Sequence, residues 1–204
     1  MTSEAITYTL QNINQTVPDN DAAGIHSTIV IGSNPGRIGD LNLSLVVSGG
    51  YTGDIYATLS KEGGPGFAVL LNRVGRSTLV GGDYGTGFQI TLDDQAPADV
   101  HLSGVQSSTL TGIWQPDGRT SDPSVVLASD PRTALLASFN GMDSSGNWTL
   151  FVADLDPGGE SKLVSWSLDV QAVPDNSPAG PLLLWAAFGL WVTGRIQKRQ
   201  PRQS

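Results

Sequence analysis

The sequence of 204 residues contains no cysteine. That excludes disulfides, thiolate nucleophiles and cysteine-ligated zinc together. Charge is also scarce: 15% of residues are Asp, Glu, Lys or Arg, with 11 basic residues against 19 acidic. Binding to nucleic acid needs clustered Lys and Arg to meet phosphates, so no nucleic-acid partner is expected. Histidine occurs only as His26 and His101, and no G-x-S-x-G elbow is present. Both histidines read as strand-edge or surface residues, nothing signals a Ser-His-Asp set, and no catalytic residue is assigned. Met1–Leu10 lacks the basic start and apolar run of a signal peptide. Before residue 180 no window sustains the three-and-four apolar spacing of a helix.

What is plentiful is turn chemistry and alternation. Gly (25) and Pro (12) separate short runs rich in Val, Ile, Leu and Thr. Ile6–Leu10, Gly24–Ile31, Gly53–Ser60 and Phe67–Arg73 read as strands. So does the run in which Leu41, Leu43, Leu45 and Val47 share one face, and so does Phe88, Ile90 and Leu92. Val100 and Leu102 read as a brief strand, Gly75–Gly87 as a surface loop, and Asn34-Pro35-Gly36 as a turn. Thr109–Pro131 is polar and Pro-rich, with Trp114 and Pro116 as packing points.

Phe139–Val170 is the richest stretch. Trp148, Leu150 and Val152 alternate with Thr149 and Phe151, and Val164, Trp166, Leu168 and Val170 with Ser165, Ser167 and Asp169. The two arms flank a loop holding Pro157, Gly158 and Gly159, which predicts a β-hairpin. A buried Trp removes about 150–250 Å² from water, roughly 4–6 kcal/mol by area, so the core is expected to close on these arms. The expected fold is all-β: an antiparallel, jelly-roll-like β-sandwich of about eight strands, followed by a C-terminal hydrophobic helix.

Three separated motifs carry a family resemblance. F-N-G followed by G-x-W-T-L-x-V-x-D, a Gly-rich loop and L-x-S-W-S-L (139–168) resembles the end of the P domain (P/Homo B domain) of proprotein convertases and subtilisin-like proteases. V-P-D-N-D-x-x-G-I-x-S-T-I-V-I (17–31) is similar to the first part of such domains, and G-D-I-x-x-x-L (53–59) with Val69-Leu70-Leu71 to their central strands. The sequence departs from the pattern at Lys61-Glu62 and through Thr109–Pro131. The resemblance implies a sandwich that packs on a serine-type endopeptidase domain, yet no stretch here resembles that catalytic domain.

Carboxylates gather at turns. Asp19 and Asp21, and Asp154 and Asp156, are candidates for a structural calcium, which takes six to eight oxygens from adaptable loops. Asp and Gly also simply make turns, and the twelve-residue EF-hand spacing is absent. The N-x-Ser/Thr triplets opened by Asn14, Asn42 and Asn147 read as chance.

The end of the chain changes character. All 19 acidic residues precede residue 181, and the four basic residues after it have no acidic company. A linker, 173–180, leads into 181–204. Ala179–Gly194 is 16 residues without a charge, which as a helix spans about 24 Å against about 30 Å of hydrocarbon. With Trp185 and Trp191 at the boundaries and Arg195, Lys198, Arg199 and Arg202 staying cytoplasmic, residues 181–194 read as a membrane segment. Val173, Pro174, Asp175 and Ser177, followed by an apolar helix and a basic end, resemble a PEP-CTERM sorting tail of the VPDSG type. That resemblance implies a bacterial cell envelope or surface location and an exosortase-like processing enzyme. Sorting requires export, so the true start is expected upstream of Met1.

The sequence therefore reads as a non-catalytic, exported P-domain-like module (1–172) with an unidentified protein or polysaccharide partner. Two alternatives stand beside it: an accessory part of a subtilisin-like serine endopeptidase system, and a carbohydrate-binding jelly roll using Tyr51, Tyr56 and Tyr84.

Overall fold

The alternation of Leu41, Leu43, Leu45 and Val47 puts four side chains on one face of a strand, and all four are sealed from solvent. The same rule builds the remainder of the chain. The computed structural model describes residues 5–32 and 36–173, and these form ten strands and three short 3₁₀ turns. The strands are β1 (Ala5–Leu10), β2 (Gln15–Val17), β3 (Asp21–Ile31), β4 (Arg37–Ser48) and β5 (Ile55–Lys61). They continue with β6 (Phe67–Asn72), β7 (Gly87–Leu92), β8 (Leu110–Trp114), β9 (Gly146–Asp154) and β10 (Ser161–Val173). One sheet runs β1-β10-β4-β7-β8, with β2 also pairing β10; the other runs β3-β9-β5-β6. Every pairing is antiparallel except β7 with β8. The two apolar faces meet in one continuous core, which makes the expected all-β sandwich.

Five expectations change. First, the Phe139–Val170 stretch is not a hairpin. β9 pairs β3 and β5 in one sheet, whereas β10 pairs β1, β2 and β4 in the other. The link 155–160 therefore crosses the sandwich. Each strand carries an indole that must be buried, and placing them on facing sheets lets both enter one core. The crossing depends on Gly159 at φ 85°, where an added Cβ would lie 2.9 Å from Gly50 Cα. Second, the inward face of β10 does not begin at Val164. A bulge between Leu163 and Ser165 shifts the phase, so Leu163 is buried and Val164 only half-buried. Third, Val100–Leu102 is a 3₁₀ turn rather than a strand, because the Asp99 carboxylate accepts from His101 N and curls the chain there. Fourth, Thr109–Pro131 contains β8, whose exposed middle hides the alternation. Gly75–Gly87 is also only partly a surface loop, since Asp83 and Gly85 are buried.

Trp148 and Trp166 are both buried, and each indole N–H has an acceptor. Trp148 Nε1 donates to Ser144 O at 2.9 Å. Trp166, on β10, reaches across the core and donates to Ser27 Oγ on β3 at 2.9 Å. Phe139 packs on Trp148 with ring centroids 4.9 Å apart. Among the described residues no helix is long and apolar enough to cross a membrane. The expected hydrophobic helix, the linker from Pro174 onward and the turn residues Asn34 and Pro35 lie outside the described residues.

Trp166→Ala removes a core indole and its hydrogen bond from β10 to Ser27, so we expect a loss of about 3–5 kcal/mol in urea unfolding. Phe at this position keeps most of the volume and should lose less. Equal losses for the two variants would show that ring volume is not what the site uses.

Candidate functional site

Two buried polar clusters and one cleft stand out from the apolar core. The first cluster forms at the end of the second sheet. Asp154 closes β9 opposite Ile55, and Leu155 N donates to Asp54 O at 2.9 Å, which holds the two acidic positions side by side. Asp54 ends a 3₁₀ turn, Thr52–Asp54, that is pinned when Gly85 N donates to Thr52 Oγ1. Arg73 follows β6. Its Nε donates to Gly53 O at 3.0 Å and its Nη2 to Asp156 Oδ2 at 2.5 Å, with Asp54 Oδ1 at 3.8 Å. Asp19 Oδ1 accepts from Gly158 N at 3.0 Å. Burial, then the charges of Asp154 and Asp156, push the Asp54 carboxyl up to about 7 against the opposing pull of Arg73. Burial likewise raises Asp154.

Three of the four expected calcium candidates, Asp19, Asp154 and Asp156, thus belong to one neighbourhood. Asp21 faces Asp154 across the β3–β9 pairing, but its side chain is exposed and its Oδ1 accepts from Ala23 N in a local turn. Asp54 and Arg73 are the members sequence reading missed. The G-D-I motif pointed to Asp54, but only as the start of a strand.

Beside this cluster lies a cleft of about 360 Å³ on the outer face of the second sheet. Tyr56, Phe151, Leu155, Pro123 and Arg73 line it. The Tyr56 and Phe151 rings meet edge to face at 6.3 Å, and exposed His26 rests on Phe151 at 5.0 Å. The three tyrosines considered for sugar stacking do not form a row. Tyr56 belongs to this cleft, while Tyr51 and Tyr84 pair edge-on with each other at 5.9 Å.

The second cluster explains the polar middle of the chain. His101 is 1% exposed, so it is neither a strand-edge nor a surface residue. Its Nδ1 lies 2.7 Å from Asp117 Oδ2 and its Nε2 3.1 Å from Arg76 O. A carboxylate and a carbonyl can only accept, so both ring nitrogens are placed to donate, which favours the imidazolium form. Burial alone would lower its pKa, but the hydrogen bond and charge of Asp117 outweigh burial and raise it. Arg119 is buried between Asp117 and Asp99, with Nη1 3.2 Å from Asp117 Oδ1 and Nη2 2.7 Å from Asp99 Oδ2. Arg132 adds a bond to Gln115 Oε1 at 2.6 Å. Ser103 Oγ donates to Asp83 rather than to the histidine. A ring with both nitrogens committed has no lone pair to take a proton, an arrangement that suits a cross-link.

No family model matches the chain, and no curated protein matches it. Among solved structures, the chain is similar to one in the complex of Aeromonas sobria serine protease with its chaperone, at 16% identity and TM-score 0.47. That likeness covers 84% of this chain and 26% of the other. Aeromonas sobria serine protease on its own gives 15% identity and TM-score 0.45, over 83% and 26%. The chain spans about a quarter of the length of these proteins.

The His101 link has a pH signature. Its folded pKa is raised, so its stabilisation is complete below the unfolded value of about 6.5 and is lost as pH rises through the folded value. His101→Gln should cost about 3–5 kcal/mol at about pH 6, because it leaves the buried Asp117 carboxylate incompletely paired. The variant should also lose less stability than the parent between about pH 6.5 and 8. Urea unfolding across that range checks both, and an unchanged pH slope would rule out a charged ring.

Proposed function

We propose that the chain is a non-catalytic module of the bacterial cell envelope, a P-domain-like sandwich that serves a protein partner in trans. The observation that carries this reading is the chemistry of His101, the one buried histidine, whose two nitrogens both face acceptors. The other histidine, His26, is exposed and stacks on Phe151. Neither is set up to activate a nucleophile, so the sandwich is best understood as a surface. The cleft of Tyr56, Phe151 and Arg73 is the part of that surface suited to a side chain with an apolar body and a polar tip.

Anchoring or sorting rests on residues 173–204, where Val173, Pro174, Asp175 and Ser177 precede the uncharged stretch and its basic end. An exosortase-like enzyme is the processing partner this tail implies. An accessory role beside a subtilisin-like serine endopeptidase is a narrower form of the same reading. It rests on the three P-domain-like motifs.

Two measurements on the full chain test the proposal. After cell fractionation the chain should pellet with membranes, and deletion of residues 181–194 should move it to the soluble fraction. The purified chain should hydrolyse neither peptide nor ester substrates above the buffer rate. Turnover that disappears in His101→Gln while the fold survives would overturn the reading.

A further inference from the structure

The acidic neighbourhood contains a carboxylate that the protein itself does not satisfy. Asp154 is 0% exposed; its Oδ2 accepts from Ser161 Oγ at 3.0 Å, while its Oδ1 is buried without a partner. A buried bare acceptor calls for a donor or a cation. Asp54, the residue before Ile55, stands next to it through the Ile55–Asp154 pairing. Asp156 and Asp19 add to the field that both feel. The one guanidinium present cannot meet this demand, because Arg73 is committed to Asp156 and Gly53 O. Four carboxylates against one cation leave the cluster short of positive charge, and Oδ1 of Asp154 marks where it is short.

We propose that Asp54 and Asp154 are the protein carboxylate ligands of a calcium ion, with Asp156 and Asp19 supplying further negative charge beside it. The donors are all oxygen, with no His or Cys among them, which selects a hard cation. Asp54 ends a 3₁₀ turn, and Asp154 is the last residue of β9, beside the irregular link 155–160. Such adaptable surroundings suit calcium's six to eight oxygens better than magnesium's strict octahedron. Among the described residues no three acidic or imidazole groups are already gathered as a cage. Two carboxylates, carbonyls and water then form the site, the kind that binds with a Kd of about 0.1–1 mM in extracellular modules. This inference is independent of the envelope reading, so either can fail alone.

Thermal unfolding of the purified full chain with calcium, with magnesium and with chelator tests it. About 10 mM calcium should raise Tm by about 3–10 °C, and magnesium should do much less. The rise should vanish in Asp154→Asn and in Asp54→Asn. If Asp154→Asn does not fold, Asp54→Asn decides alone. No rise in the parent chain, an equal rise with magnesium, or a rise kept in Asp54→Asn would each overturn the proposal.

Discussion

The structure depends on an indole that belongs to one sheet and is held by the other. Trp166 starts from β10 and gives its N–H to Ser27 on β3. A two-sheet sandwich can slide or splay where its faces are only greasy, because apolar contact has no direction. A hydrogen bond across the gap does have direction, and it favours one offset of the sheets. Trp148 packs in the same core, with Phe139 against it. That both indoles lie between sheets follows from the crossing at 155–160, which separates β9 from β10. The same crossing brings Asp154, Asp156 and Gly158 to the Thr52–Asp54 turn, so the link that closes the core also assembles the acidic neighbourhood.

The polar clusters divide the remaining work. His101, Asp117, Arg119 and Asp99 hold the irregular region between β7 and β9 by charge-assisted hydrogen bonds, where there are too few apolar side chains to do it. Every charged group in that set has an opposite neighbour. The Asp54–Asp154 neighbourhood is different, since its acidic groups outnumber its cations and its unpartnered buried atom is a carboxylate oxygen, whereas that of the other cluster is Arg119 Nε.

Much of the fold was legible because period-two alternation survives wherever a strand has one dry face. β1, β4, β5, β7 and β9 could be placed by that rule alone. β8 could not, because its three middle residues are exposed, and β2 is only three residues long. The hairpin expectation failed for a definite reason. A turn-rich link between two alternating strands has the same local chemistry whether it reverses within a sheet or crosses to a facing one. The site was half legible. Turn spacing singled out Asp154, Asp156 and Asp19, but Asp54 and Arg73 reach them only through sheet pairing. His101, in an apolar setting, gave no local sign of Asp117, sixteen residues away.

The proposed binding role requires the two-sheet architecture, which has a direct test. NMR cross-strand contacts of the backbone protons report which strands are neighbours. Trp166 should show them with Leu45 and Leu10, and Trp148 with Ile29 and Lys61. Contacts running instead between the β9 and β10 backbones, as in a hairpin, would contradict the crossing and with it the arrangement of both clusters.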